Sequence, residues 1–206
     1  TPPTVTIVPA NNSIKSFVPK IHVMLLDEYG SGVDYDQTTL IVGNHTGQEI
    51  PGLIQVQLNG RLEFTPNDPF VDDQYRIDFY STDFAGNEVE ADVVFTVDTV
   101  KPVIMVTNVS EDEVYTNTVN PDISIYDYTL ETVQILLNDQ PFTSGSEIIF
   151  QGLYTLTVEA MDGAGHTSVH ITNFSVDLAP AAPTGLMIHE HLTKNRLEWH
   201  DNTEED

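Results

Sequence analysis

Two stretches of this chain place carboxylates at matching positions. TDFAGNEVEADVVFTVDTVKP (82–102) carries Asp83 and Asp98, and MDGAGHTSVHITNFSVDLAPA (161–181) carries Asp162 and Asp177, 79 residues later. Carboxylate oxygens are hard donors, and several of them brought together suit calcium, which takes roughly 6–8 oxygen ligands. The same aspartates can instead accept hydrogen bonds from backbone N–H groups in turns, as Asx residues do. Both roles stay open at this point.

Composition narrows the partners. The chain has 206 residues, 32 acidic against 7 basic, for a formal net charge of −25. Such a field repels phosphate backbones and anionic membrane surfaces, so nucleic acid is not an expected partner, and it concentrates cations. The acidity is spread out: residues 1–99 hold 15 acids and 4 bases, residues 100–178 hold 11 and 1, and residues 179–206 hold 6 and 2. Cysteine is absent, which removes disulfides, thiolate zinc sites and cysteine nucleophiles. No apolar run approaches the ~18 residues of a spanning helix, so no membrane insertion is expected of this stretch. The opening TPPTVTIVPA is no signal peptide, and the chain reads as a fragment of a larger protein.

The elements that must position these acids are strands. Apolar and polar residues alternate in HVMLLD (22–27), RLEFT (61–65), YRIDFYS (75–81), EADVVFTVD (90–98), DISIYD (122–127), TVQILLN (132–138), YTLTVEA (154–160) and SVHITNFSV (168–176). These period-2 runs are rich in Val, Ile, Thr, Tyr and Phe and are punctuated by Gly, Asn, Asp and Pro, with no convincing helix. At the constant offset of 79, Tyr75 matches Tyr154 and Ala85-Gly86 match Ala164-Gly165. Phe95, Val97 and Asp98 likewise match Phe174, Val176 and Asp177. One hairpin is therefore used twice. Roughly seven strands per unit of ~80–100 residues predicts an all-β chain of tandem immunoglobulin-like β-sandwiches. The first unit is longer because it carries extra residues between Asp34 and Asp73. Tyr75 and Tyr154 fall where a tyrosine corner opens strand F, and Phe95 and Phe174 face inward from strand G.

The pattern strand, D-x-A-G-[NH], strand, V-D-x-x-x-P resembles the end of the bacterial Ig-like domains found in tandem on surface and secreted proteins. VDTVKP resembles their linker, and the likeness covers about residues 1–178. PAAPTGLMIHEHLTKNRLEWHD (180–201) resembles the opening of a fibronectin type III domain, with Pro183, Gly185-Leu186 and Trp199. The implied domains are 1–99 and 100–178, both bacterial Ig-like, and 179–206, which is incomplete and holds strands A and B only. Two strands cannot bury Trp199 and Leu197.

Sandwich topology decides which carboxylates meet. A nine-residue strand at ~3.3 Å per residue separates Asp83 from Asp98 by about 30 Å. Asp98 leaves the first domain where the second presents its F–G turn, with Asp162, and its B–C corner, with Asp127. The analogous end of the first domain offers Asp27, Glu28, Asp34 and Asp83. Calcium is the expected cofactor, at Asp98, Asp127 and Asp162 and at Asp27, Asp34 and Asp83, where it would stiffen domain junctions. The competing reading is that these aspartates cap turns.

Catalysis finds no motif: G-x-S-x-G, H-E-x-x-H and phosphate-binding glycine loops are missing. Asp34/Asp36 and Asp72/Asp73 imitate a glycosidase pair, but adjacent acids in loops are usually surface charge. His189 and His191 share a strand face, a weak metal signal. Tyr29 and Tyr35 flank the GSGVD loop and Tyr128 stands at the matching corner of the second domain, so these three are candidate binding residues. The expectation is a non-enzymatic, extracellular, secreted or surface-attached spacer whose partners are neighbouring domains of the same parent chain. The alternatives are an adhesive or carbohydrate-binding module directed at a host or matrix glycan or protein, and an accessory region of a polysaccharide-degrading enzyme.

Overall fold

A computed structural model describes residues 1–28, 30–57, 59–179, 184–191 and 194–200. Among the described residues there is no helix, as the period-2 pattern predicts. The chain divides into two compact units. The first contains Thr1–Val103 together with the short segments Ile125–Thr132 and Ala160–Ser168, and the second contains the remainder.

In the first unit, one sheet has the order β1 (Thr4–Val8), β3 (Ile21–Leu26), β6 (Arg61–Pro66), β5 (Gly52–Val56). The other has the order β2 (Ser13–Lys15), β8 (Glu88–Val97), β7 (Asp73–Asp83), β4 (Val33–Asn44). Alternate residues of each strand face the space between the sheets, because side chains change face at every step. Ile21, Val23 and Leu25 of β3 and Leu62 and Phe64 of β6 therefore meet Leu40 and Val42 of β4, Ile77 and Phe79 of β7, and Phe95 and Val97 of β8. The strand leading in contributes to both sheets: β1 pairs antiparallel with β3, then β2 pairs parallel with β8, Ser13 opposite Phe95.

The Tyr75 hydroxyl donates to the carbonyl of Val71 at 3.0 Å and accepts from the Val71 N–H at 3.1 Å. That bond closes a corner at the start of β7, with the ring stacked on Phe95 at 5.4 Å between centroids.

The second unit repeats this local chemistry. β9 (Val103–Thr107) pairs with β11 (Asp122–Tyr126). A five-stranded sheet has the order β10 (Glu113–Tyr115), β15 (Thr167–Val176), β14 (Gly152–Asp162), β12 (Leu130–Leu137), β13 (Gln140–Pro141). Tyr154 donates to the Phe150 carbonyl at 2.8 Å and stacks on Phe174 at 5.5 Å, the same arrangement as Tyr75 and Phe95. Parallel pairing of β10 with β15 sets Glu113 opposite Phe174. The early offset is therefore 100 residues against 79 later, which puts the longer insertion of the first copy in the region of β4 to β6. Leu156, Val158, Phe174 and Val176 supply the buried faces of β14 and β15.

Residues Thr184–His191 (β16) and Lys194–His200 (β17) form an antiparallel hairpin. Trp199 is 52% exposed and Leu197 is also exposed, as two strands alone dictate.

Candidate functional site

The repeated D-x-A-G-[NH] turns are built by the same bonds. In the first copy, the Asp83 carboxylate accepts from the N–H groups of Ala85 at 2.9 Å and Asn87 at 2.8 Å, and from the Asn87 amide at 2.7 Å. In the second, Asp162 accepts from Ala164 at 2.9 Å, from the His166 N–H at 2.8 Å, and is bonded to His166 Nδ1 at 2.8 Å. A short acid that turns back on its own loop satisfies N–H groups that the hairpin leaves unpaired. Hydrogen bonds from Asn87 hold the Asp83 carboxyl below its ordinary range despite burial. Burial pushes Asp162 upward, but bonds from His166 and Ala164 outweigh it and the net shift is downward.

The surroundings of the two turns differ. Within the first unit, three segments meet at the second turn: the end of β8, the corner between β11 and β12, and the turn between β14 and β15. Asp98 Oδ2 accepts from the Thr129 hydroxyl, and Asp98 Oδ1 accepts from the Val100 N–H at 3.3 Å. Thr129 is held in turn by Asp127, whose carboxylate accepts its N–H at 2.8 Å. The Gly163 N–H donates to the Thr129 carbonyl at 2.9 Å. Asp98 is 1% exposed and Asp162 is 0% exposed. One ligand atom each from Asp98, Asp162 and His166 lies within 4.8 Å of the others.

Asp127 stands half-buried at the edge of this group. Burial, and then the like charges of Asp98 and Asp162, raise its carboxyl above the ordinary range, with the Thr129 N–H and His166 opposing them. Three acids therefore face one imidazole, with no Lys or Arg ion pair to any of them among the described residues. The arrangement can hold a cation through carboxylate oxygen and imidazole nitrogen.

Of the residues singled out from the sequence, Asp98, Asp127 and Asp162 come together. Asp27, Asp34 and Asp83 are placed otherwise. Asp27 accepts from the Gly32 N–H at 2.7 Å, Asp34 from the Asp36 N–H at 3.1 Å, and Asp83 serves its own turn. Asp72 accepts from the N–H and hydroxyl of Thr99, and Asp73 is bonded to His45 at 2.6 Å, so that pair closes loops. Tyr35 lies on β4, half-buried against the core, whereas Tyr128 is 59% exposed. Tyr29 lies outside the described residues.

His166 and Thr129 are the members that reasoning on carboxylates passes over. The signal was present for His166: it occupies the position of Asn87, where the turn requires a side-chain donor.

Comparison with known proteins follows the architecture. No curated protein sequence matches the chain. Solved structures that resemble it include fibronectin(III)-like modules of Clostridium thermocellum CbhA, at 14% identity and TM-score 0.37, covering 85% of this chain and 95% of that one. Titin A168169 aligns at 11% identity and TM-score 0.45, covering 87% of this chain and 100% of that one. The copper resistance protein PcoC from Escherichia coli aligns at 15% identity and TM-score 0.40, covering 47% of this chain and 99% of that one. The profile of one family, described as bacterial Ig-like domain, matches residues 28–99, which span β4 to β8. The likeness to that family covers about a third of the chain.

Proposed function

We propose that this chain is a non-catalytic spacer region of an extracellular bacterial protein, secreted or surface-attached, and that calcium stiffens it. The observation that carries the reading is the pair of buried carboxylates Asp98 and Asp162, with Asp127 beside them. Asp98 directly follows β8, so an ion held there ties the segment leaving the first hairpin to the turn of the second. The charge of −25 suits the role, since self-repulsion keeps such a chain soluble.

Buried like charges cost folding energy unless a cation or donors neutralise them. Calcium binding the folded state alone would raise the melting temperature by mass action. The test is a calcium titration followed by thermal melting and small-angle scattering. The spacer reading expects a higher Tm and a narrower distribution of dimensions with calcium. An unchanged Tm together with unchanged scattering removes the calcium component.

A second reading is supported by Tyr128, exposed beside Asp127: an adhesive module using that corner to bind a glycan or protein of a host or matrix. Glycan-array binding that disappears in Tyr128→Ala would favour it over the spacer.

A further inference from the structure

We infer that the cluster formed by Asp98, Asp162 and His166 is a site for a d-block divalent cation, with zinc as its representative, in which His166 supplies a nitrogen ligand. The inference rests on the cation reading of this cluster and differs from it in the class of ion.

The donor set is the first argument. Calcium seeks roughly 6–8 oxygens and draws little from imidazole, whereas zinc takes four ligands from carboxylate oxygen, imidazole nitrogen and thiolate. Two carboxylates and one imidazole make three protein ligands, which leaves a fourth position for water, the usual count at an open zinc site.

Enclosure is the second argument. Asp98 and Asp162 are essentially without solvent contact, and with one oxygen from each of them calcium would still seek about four to six more. A four-coordinate ion asks for far less. Ligand atoms about 2.0–2.1 Å from a tetrahedral zinc stand about 3.3 Å apart. The bond from His166 Nδ1 to Asp162 is 2.8 Å, and no separation among the three ligand atoms exceeds 4.8 Å. Bringing a separation of 4.8 Å to that spacing takes a change of up to about 1.5 Å.

Uncompensated charge is the third. Asp98 is buried, and among the described residues it has no ion pair; its neighbours are a hydroxyl and an N–H. A buried carboxylate in that condition is a standing demand for positive charge.

The repeat supplies a natural control. In the first copy the position of His166 is held by Asn87, whose amide serves the turn carboxylate and offers no good ligand for zinc. His166→Asn therefore keeps the turn and removes the nitrogen ligand.

The experiment uses the whole chain stripped with chelator and then titrated with zinc chloride or calcium chloride, followed by melting and calorimetry. Cobalt(II) serves as a spectroscopic stand-in. Wild type is expected to bind one zinc at this site with a rise in Tm, and cobalt to give the visible bands of a four-coordinate nitrogen–oxygen site. His166→Asn should weaken zinc at least tenfold, abolish the cobalt bands and leave the calcium response unchanged. Asp98→Asn, which does not touch the turn, should weaken zinc as well, and it decides the matter if His166→Asn fails to fold.

Zinc binding equal in wild type and both variants overturns the inference, because the ion then sits elsewhere, for instance at His189. A response to calcium but not to zinc also overturns it while leaving the calcium reading intact. No response to either ion removes both.

Discussion

The turns Asp83–Asn87 and Asp162–His166 have the same backbone and different fates. Each aspartate caps its own loop with bonds that agree to within about 0.1 Å. Their second residues diverge. Phe84 is 70% exposed, but its counterpart is Gly163, and a Cβ there would come within 2.5 Å of the Ile14 side chain. The first turn has room for an aromatic ring, and the second is covered by Ile14, Thr129 and Asp98. Local sequence makes the turn, and its neighbours decide whether it is a surface feature or part of a buried site.

The ends of the same hairpins make the point again. Asp98 donates its N–H to the Lys15 carbonyl at 3.0 Å, and Asp177 donates to the Tyr115 carbonyl at 2.8 Å. Asp98 is buried and Asp177 is exposed. Equivalent backbone roles do not imply equivalent electrostatics.

The largest expected effects fall where the copies are alike. Phe95→Ala and Phe174→Ala should each cost about 3–5 kcal/mol in denaturant unfolding, since both rings are buried against a corner tyrosine. A value under about 1 kcal/mol for either would end the claim that the hairpins share one packing scheme.

Exchanging the second turn residue tests the difference. Gly163→Phe should lose about 1–3 kcal/mol through overpacking against Ile14 and Thr129. Phe84→Gly, at an exposed position, should stay within about 0.5 kcal/mol. Equal effects would mean that the second turn is as open as the first.

The corner tyrosines come next. Tyr75→Phe and Tyr154→Phe each remove the hydroxyl's bond to a backbone carbonyl, and a loss of about 1 kcal/mol in each is expected. The Tyr75 change should be the larger, because its hydroxyl also accepts from Val71.

The smallest effect is confined to acid. Bonds in the folded state lower the Asp83 carboxyl below its ordinary value of 3.8, so ionisation there stabilises the fold above that pH. The contribution is lost as pH falls below 3.8 and through the folded-state value. A melting series from pH 6 downward should show this decline in wild type, and the part due to Asp83 should be missing in Asp83→Asn.

Most strands were legible because a sheet with one buried face writes its period into the chain. Runs such as YRIDFYS and YTLTVEA map onto β7 and β14 with their apolar residues inward. β4 was harder to read. Its pairing with β7 slips between Asp34 and Thr39, and an irregularity there breaks the alternation on which the reading depends. The tyrosines divide for a similar reason: loop-like spacing suggested a surface platform at Tyr35, but its strand turns the ring toward the core.

By itself, the sequence determined the all-β fold and the doubled hairpin, and it offered turn capping as one of two roles for Asp83 and Asp162. Those depend on period, on residues a few positions apart and on side chains that reach their own backbone. The approach of Asp98, Asp127 and Asp162 was expected from the sequence; only the tertiary structure added Thr129 and His166 to them, buried Asp98 and Asp162, and left Asp27, Asp34 and Asp83 to separate hydrogen bonds. Burial and charge neutralisation depend on which distant segments pack together, and a carboxylate in sequence looks the same whether water or protein will surround it.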